Sequence, residues 1–187
     1  MTRIYLGVGS NTHRDHHLRR GLDALEQLLG PLQLSPVFES DAVGILATRF
    51  YNMVVAADCT LELADLNAAL KAIEAACGRR EQSMPGRITL DIDILLYGEL
   101  AGRHADVQLP RPEIYRNAFV LWPLALLAPE LRVPGGEQTV GALWQDWRGH
   151  QKVWPVAFDW RGQTLTPERL LRQALPEADV TPGSGAA

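Results

Sequence analysis

The chain has 187 residues, and its 18 basic and 22 acidic side chains give a formal net charge of −4. This length favours one domain, with or without an appendage, and is sufficient to bury a core without disulfides. Since 47% of the residues are hydrophobic, a wholly disordered chain is excluded, and the isoelectric point of 5.7 argues against a nucleic-acid-binding protein.

The first predicted elements alternate between strand and helix. Residues 4–8 are an apolar run ending at Gly-Ser-Asn, which is typical of a strand entering a tight loop. Leucines at spacings of four, three and four predict a helix over 18–29 that ends at Gly-Pro. Residues 32–40 and 51–58 are predicted strands, joined by a loop over 41–49.

A second helix and a fourth strand follow. Thr60 is a plausible N-cap for a helix whose apolar face runs from Leu63 to Cys77, and Gly78 stands where a terminating glycine belongs. A polar loop over 79–87 precedes an alternating strand over 89–97. The order strand, helix, strand, strand, helix, strand predicts an α+β fold with a ferredoxin-like βαββαβ core.

Additional elements are expected after this core. A Pro-rich loop leads into a helix over 119–127, and a short helix is predicted over 140–147. We therefore divide the chain into a core domain, 1–135, and a C-terminal extension, 136–187, that is partly flexible at its end. The extension is rich in tryptophan, and its sequence does not decide whether these rings form an extra layer or face a partner.

The strongest chemical signal is the pair Asp91 and Asp93. Alternate residues of a strand share a face, so the two carboxylates project side by side, about 7 Å apart. Leu90, Ile92, Ile94 and Leu96 are expected on the other face, against the core. The pair is either a site for a hard cation such as Mg²⁺, beside the phosphates of a nucleotide, or two solvated carboxylates on an exposed face.

Loop arginines form the second signal. They are Arg79, Arg80 and Arg87 around the polar loop, and Arg111 and Arg116 in the Pro-rich loop. A guanidinium matches phosphate oxygens bidentately, although charged loops are usually only solvated. Beside a metal-binding pair they favour a phosphate-binding site.

Other candidates are weaker. Cys59 and Cys77 fit no zinc or redox spacing and are expected to be buried, small apolar residues. No stretch reaches the ~18 apolar residues of a membrane span, and the start does not resemble a signal peptide, so a cytoplasmic location is expected. The cluster around His13, His16 and His17 is interpreted as a polar helix start.

Five segments together resemble the 6-hydroxymethyl-7,8-dihydropterin pyrophosphokinase family of folate biosynthesis. They are YLGVGSN, RFYNMVV, IEAACGR, TLDIDILLYG and NAFVLWPLALLAPEL, in the right order over roughly residues 3–131. The resemblance implies transfer of the β,γ-diphosphate of ATP to the pterin hydroxymethyl group, with release of AMP. It also implies two Mg²⁺ ions held by Asp91 and Asp93.

The resemblance assigns further residues to roles. For the pterin these are Asn52 as reader of the ring edge, Phe50 and Phe119 as the sandwiching aromatics, and the loop around Val43 and Gly44. For the nucleotide they are Glu74, Arg79 and Ile94, to which we add Arg111 and Arg116 as expected nucleotide contacts. The residues expected to be catalytic are Arg79, Asp91, Asp93 and Arg111. Asn11 matches the asparagine that follows the family's first strand. We expect a monomer whose partners are these small molecules, with no nucleic acid and no membrane.

Several cations depart from the family pattern. The family has Gly-Pro-Arg before Thr-Leu-Asp, whereas this chain has Gly86-Arg87-Ile88 at that place. The arginine is therefore one residue early, which in a regular strand moves its side chain to the other face. Where the family has Pro-His-Pro, this chain has Arg111 in place of the histidine. Two residues before Phe119, where the family has an arginine, this chain has Asn117. These changes motivate a second hypothesis, a non-catalytic or altered-substrate paralogue that binds pterin and nucleotide.

Overall fold

The computed structural model describes residues 1–41, 48–79 and 86–173. Its strands are β1 (Thr2–Ser10), β2 (Gln33–Leu34), β3 (Val37–Ser40), β4 (Phe50–Cys59), β5 (Asp91–Tyr97), β6 (Gly102–His104), β7 (Val107–Leu109), β8 (Val153–Val156), β9 (Asp159–Trp160) and β10 (Gln163–Thr164). Its helices are α1 (Arg14–Leu29), α2 (Leu63–Ala76), α3 (Glu113–Arg116), α4 (Ala118–Leu127), α5 (Val140–Gln145) and α6 (Glu168–Gln173). Within those ranges, no helix has both the length and the hydropathy of a membrane span.

The main sheet has the order β5-β1-β4-β3-β8, and β2 also pairs with β4. Strands β1 and β3 both run antiparallel to β4, while β4 and β5 both run antiparallel to β1. Strands β1 and β3 are thus parallel, are connected through α1, and have β4 between them. Strands β4 and β5 are also parallel, are connected through α2, and have β1 between them. Two interlocked split βαβ units result, which confirms the predicted ferredoxin-like α+β fold.

Two local predictions are wrong at their boundaries. The strand predicted over 32–40 is divided into β2 and β3, because Pro36 has no N–H to donate. Ser35 bridges the break: its N–H donates to Val54 O (2.9 Å) and its Oγ accepts from Val54 N (2.8 Å). The N-cap of α2 is Glu62 rather than Thr60, since β4 continues to Cys59 and the chain needs two further residues to leave the sheet.

A bulge in β5 corrects the predicted facing of Leu96. Tyr5 pairs with Leu96 but Leu6 pairs with Ile94, so Leu95 is an extra residue in the ladder. Leu90, Ile92 and Ile94 face the core under α1 and α2, as predicted. Leu95 and Leu96 pack instead against α4 on the opposite face, because the extra residue reverses the alternation beyond it.

Helices cover both faces of the sheet. Leucines of α1 and α2 pack on one face, and Val120, Leu121 and Leu124 of α4 pack on the other with Tyr5 and Val54. An α4-centred layer therefore stands opposite the α1–α2 layer, and the ligand cavity described below opens at its edge.

The C-terminal extension packs on the core. Strand β8 extends the sheet beyond β3, and Phe158, Trp160 and Leu165 are buried in the α1-side core. Trp144 stacks on Trp122 of α4 with ring centroids 4.9 Å apart. The tryptophans described here thus form part of the protein's own layers. The domain boundary at residue 135 stays a prediction.

Candidate active site

A cavity of about 260 Å³ opens where β1 and β3 end and β4 and β5 begin, on the α4 side of the sheet. Its polar lining includes Ser40, Asp41, Asn52, Asp91, Asp93, Glu113 and Asn117, and its apolar lining includes Phe50, Ile88, Phe119 and Val120. A flat polar ligand with one charged end matches this mixture, because aromatic faces and carboxylates border a single space.

Strand register builds the floor of the cavity. Gly9 pairs with Asn52 on one side and with Asp91 on the other, and Gly7 pairs with Val54 and with Asp93. Adjacent strands lie about 4.8 Å apart, so each glycine leaves a gap between two side chains of the neighbouring strands. Gly7 and Gly9 of β1 therefore keep this floor open.

The residues implied for pterin binding meet at one end of the cavity. Asn52 Nδ2 donates to Ser40 Oγ at 2.9 Å, which fixes the amide plane. A Cβ at Gly9 would lie only 2.9 Å from Asn52 Oδ1, so the amide extends over the glycine backbone. Phe50 lies beside the same glycine, since its Cδ1 would be 3.8 Å from that Cβ, and Phe119 also lines the cavity. Val43 and Gly44 lie outside the described residues.

The carboxylate pair occupies the other end. The side chains of Asp91 and Asp93 are each 35% exposed and form ion pairs, Asp91 with Arg79 and Asp93 with Arg111 at 3.1 Å. Burial, and after it the charge of Asp91, raise the pKa of Asp93 from 3.8 to about 7, although the charge of Arg111 opposes the rise. A carboxylate pair in this setting strongly favours a bound proton or a further cation.

Glu74 ties the second helix to the start of β5. Its Oε1 accepts from Ile92 N at 2.7 Å and from Arg79 Nη1 at 3.2 Å. Arg79 also donates to Leu90 O at 3.3 Å. Burial raises the pKa of Glu74, while the bond from Ile92 lowers it. Glu74 therefore positions Arg79 against Asp91, and its direct role toward a nucleotide stays a prediction.

Glu74, Arg79, Arg87, Ile94, Arg111 and Arg116 all lie outside the cavity lining. Arg79 and Arg111 reach the cavity through their ion pairs with Asp91 and Asp93, and Glu74 pairs with Arg79. The other three candidates are placed as follows. The side chain of Ile94 is buried in the α1-side core, so only its main chain is available to a ligand. Arg116 is exposed and absent from the lining. Arg87 is also exposed, whereas Ile88 lines the cavity. The one-residue displacement seen in the sequence therefore places an apolar side chain at the cavity.

Ser40 and Glu113 are cavity residues that the sequence reading missed. Ser40 is recognisable only from the β3–β4 register, which places it beside Phe50. Glu113 lines the cavity and its Oε2 is 3.4 Å from Arg111 Nε. No spacing pattern distinguishes either residue from ordinary surface positions.

Asn11 joins the first strand to the segment before β5. Its Oδ1 accepts from Ile88 N at 2.7 Å, its own N–H donates to Ile88 O at 3.0 Å, and its O accepts from Thr48 Oγ1 at 3.0 Å. These bonds hold Ile88 at the rim of the cavity. The histidines nearby have no metal-site geometry: within the described ranges, no group of three His, Cys, Asp or Glu side chains is placed to hold an ion.

Comparison with known families and proteins gives a consistent result. Residues 5–129 match the family model of 7,8-dihydro-6-hydroxymethylpterin-pyrophosphokinase. A Pseudomonas aeruginosa protein named 2-amino-4-hydroxy-6-hydroxymethyldihydropteridine pyrophosphokinase is 41% identical over 138 residues, covering 72% of this chain and 85% of that protein. An Aquifex aeolicus protein of the same name is 32% identical over 136 residues, with 72% and 85% covered.

Solved structures share the fold. A Plasmodium falciparum HPPK-DHPS triple mutant with SDX-DHP aligns with a TM-score of 0.61 at 15% identity, covering 77% of this chain and 44% of that one. A second triple mutant, with pteroate, aligns at 0.63 and 12% identity, covering 77% and 43%. This chain thus spans less than half of those proteins, and at such identities the likeness concerns the fold alone.

Proposed function

The chain belongs to the 7,8-dihydro-6-hydroxymethylpterin-pyrophosphokinase family, and from this premise we propose that it transfers the β,γ-diphosphate of ATP to the hydroxymethyl group of 6-hydroxymethyl-7,8-dihydropterin, releasing AMP. The observation that carries the proposal is the register across β4, β1 and β5. Asn52 lies on β4, on one side of Gly9, and Asp91 and Asp93 lie on β5, on the other side of Gly9 and Gly7. All of these residues line the same cavity.

The neutral end of the cavity suits the pterin. The Asn52 amide, held by Ser40, presents a hydrogen-bonding edge, and the rings of Phe50 and Phe119 line the space beside it. A flat heterocycle with a polar edge is recognised by this combination of ring contact and in-plane hydrogen bonding. Bound here, the pterin directs its hydroxymethyl oxygen toward the carboxylate end.

The charged end suits Mg²⁺ and the phosphates. Asp91 and Asp93 share one face, and the pKa of Asp93 is raised first by burial and then by the charge of Asp91, so its ionised form is unfavourable until a cation such as Mg²⁺ balances the charge. Two carboxylates plus phosphate oxygens form the oxygen-rich ligand set that Mg²⁺ takes. We assign these residues as ligands of two Mg²⁺ ions, which when bound neutralise the phosphate oxygens and align the diphosphate for in-line attack.

Arg79 and Arg111 complete this end. Each now neutralises one aspartate. The buried Nε of Arg111 has no hydrogen-bond partner among the described residues, since its 3.4 Å approach to Glu113 Oε2 is poorly aligned. The Arg111 side chain as a whole is 29% exposed, so the guanidinium that now holds Asp93 is suited to contact a phosphate oxygen when a metal takes over the carboxylate. Arg116 is a proposed nucleotide contact outside the cavity lining.

A coupled assay for AMP tests the proposal. The full chain, ATP, Mg²⁺ and 6-hydroxymethyl-7,8-dihydropterin should yield AMP and a diphosphorylated pterin in equal amounts. Binding of both ligands by calorimetry with no AMP over hours would instead support the non-catalytic paralogue, which the displaced Arg87 motivates and which the relatives' names do not support. The monomeric state and the cytoplasmic location stay predictions.

A further inference from the structure

A side chain of the C-terminal extension contacts the wall of the cavity. Gln151 lies beyond residue 129, where the match to the family model ends. Its Oε1 accepts from Ala118 N at 2.7 Å, and its Nε2 donates to Asn117 Oδ1 at 3.2 Å and to Arg116 O at 3.1 Å. All three partners stand at the junction between α3 and α4.

This contact supplies a missing helix cap. Asn117 is the N-cap residue of α4, but its side chain forms no capping bond. The first amide of a helix has no partner within the helix, and an acceptor on it stabilises the terminus. Gln151 provides that acceptor from 33 residues away in sequence.

The same junction borders the cavity. Asn117 and Phe119 both line it, one on each side of the capped amide. The segment that carries Gln151 is itself anchored on the far wall, since Asp41 N donates to Lys152 O at 3.2 Å and Val153 pairs with Ser40. Residues 151–153 therefore join the β3 wall to the α4 wall.

We propose that Gln151 is a positioning residue that holds Asn117 and Phe119 in the geometry that receives the pterin; the consequence for catalysis rests on the proposed function. Without the cap, the start of α4 frays, and a ligand must reorder it on binding. The apparent affinity for the pterin then falls in proportion to the fraction of molecules in which the start of α4 is still ordered. The aspartates lie on β5, across the cavity, so the requirement for ATP is affected less.

The test compares Gln151→Met, which keeps the side-chain length and removes its hydrogen bonds, with Gln138→Ala. Gln138 is exposed and, within the described residues, its side chain bonds Asp146, so its variant controls for a lost surface glutamine. Amide exchange is measured on the ligand-free proteins. We expect exchange at Ala118 to accelerate about three- to tenfold in Gln151→Met, the loss typical of a cap, and to stay unchanged in Gln138→Ala.

The kinetic arm follows the same variants. For Gln151→Met we expect KM for the pterin to rise about three- to tenfold, with KM for ATP and kcat changed less than about twofold. Unchanged exchange at Ala118, or an unchanged pterin KM, would overturn the assignment. If the wild-type chain makes no AMP, the proposed function fails, and the exchange data alone decide whether Gln151 holds the start of α4.

Discussion

The two ends of the cavity are built by different physics. At the pterin end the polar group is neutral and already satisfied inside the protein, since Asn52 bonds Ser40. At the end proposed for the phosphates, the carboxyl groups of Asp91 and Asp93 are ionisable and take Arg79 and Arg111 as partners. We therefore expect shape to govern pterin recognition at the first end, and exchange of charged partners to govern phosphate binding at the second. Substitutions should separate the two ends.

The largest effect is expected from Asp93→Ala. Removing this carboxylate deletes a proposed metal ligand and leaves Arg111 without its ion-pair partner. Loss of one electrostatic group at a reacting centre typically costs about 10²–10³-fold in kcat, so AMP formation should fall by at least this factor. Asp106→Asn, on an exposed turn, is the matched control and should be unaffected. Full activity in Asp93→Ala would remove the metal assignment.

Gly9→Ala tests shape at the pterin end. The added methyl would lie 2.9 Å from Asn52 Oδ1 and must displace the amide. Overpacking of this kind costs about 1–3 kcal/mol, so KM for the pterin should rise about tenfold with little change in KM for ATP.

Gly7→Ala is the control for that substitution. Gly7 lines the same cavity floor, but the atoms nearest to the added methyl are in the side chain of Leu95, at 3.4 Å or more, which is an ordinary contact and does not displace Asn52. A pterin KM equally raised in both variants would show that the amide geometry at Asn52 is not the cause.

The pH dependence of stability tests the phosphate end without turnover. The pKa of Asp93 is raised from 3.8 to about 7, so between those values the native state keeps a proton that the unfolded chain has released. The stability of the metal-free protein should therefore fall as the pH rises through this window. We expect Tm in EDTA to decline from about pH 5 to pH 8 more steeply than in Asp93→Asn.

Added Mg²⁺ should oppose this decline in Tm, because it binds Asp91 and Asp93 in their ionised form. The rise in Tm on adding Mg²⁺ should be larger at about pH 8 than at pH 5. If Tm declined equally with pH in the wild type and in Asp93→Asn, the pH dependence of stability would not come from the raised pKa of Asp93.

The smallest effect is expected from Arg87→Ala. Arg87 is exposed and does not line the cavity, so kcat/KM should change less than about twofold. Arg79→Ala removes the ion-pair partner of both Asp91 and Glu74, and it should lower kcat/KM by about tenfold or more. A large loss in Arg87→Ala would show that the displaced arginine still reaches the phosphates.

Much of the fold and half of the site follow from local patterns. Alternation over 89–97 placed Asp91 and Asp93 on one face, and the leucine spacing placed α1, because both signals depend only on strand and helix periods. The family resemblance supplied Asn52, Phe50 and Phe119. Neither source indicated Ser40, Glu113 or the facing of Leu96, because these depend on which strands pair and on a bulge in one of them.

The sequence by itself determined the order of the six core strands and helices, the family, and the carboxylate pair, because each follows from the spacing of neighbouring residues. Only the tertiary structure decided that Gly9 separates Asn52 from Asp91, that Ile88 rather than Arg87 faces the cavity, and that Gln151 caps α4. These contacts join residues dozens of positions apart, and their geometry is set by strand pairing and packing, which no local period encodes.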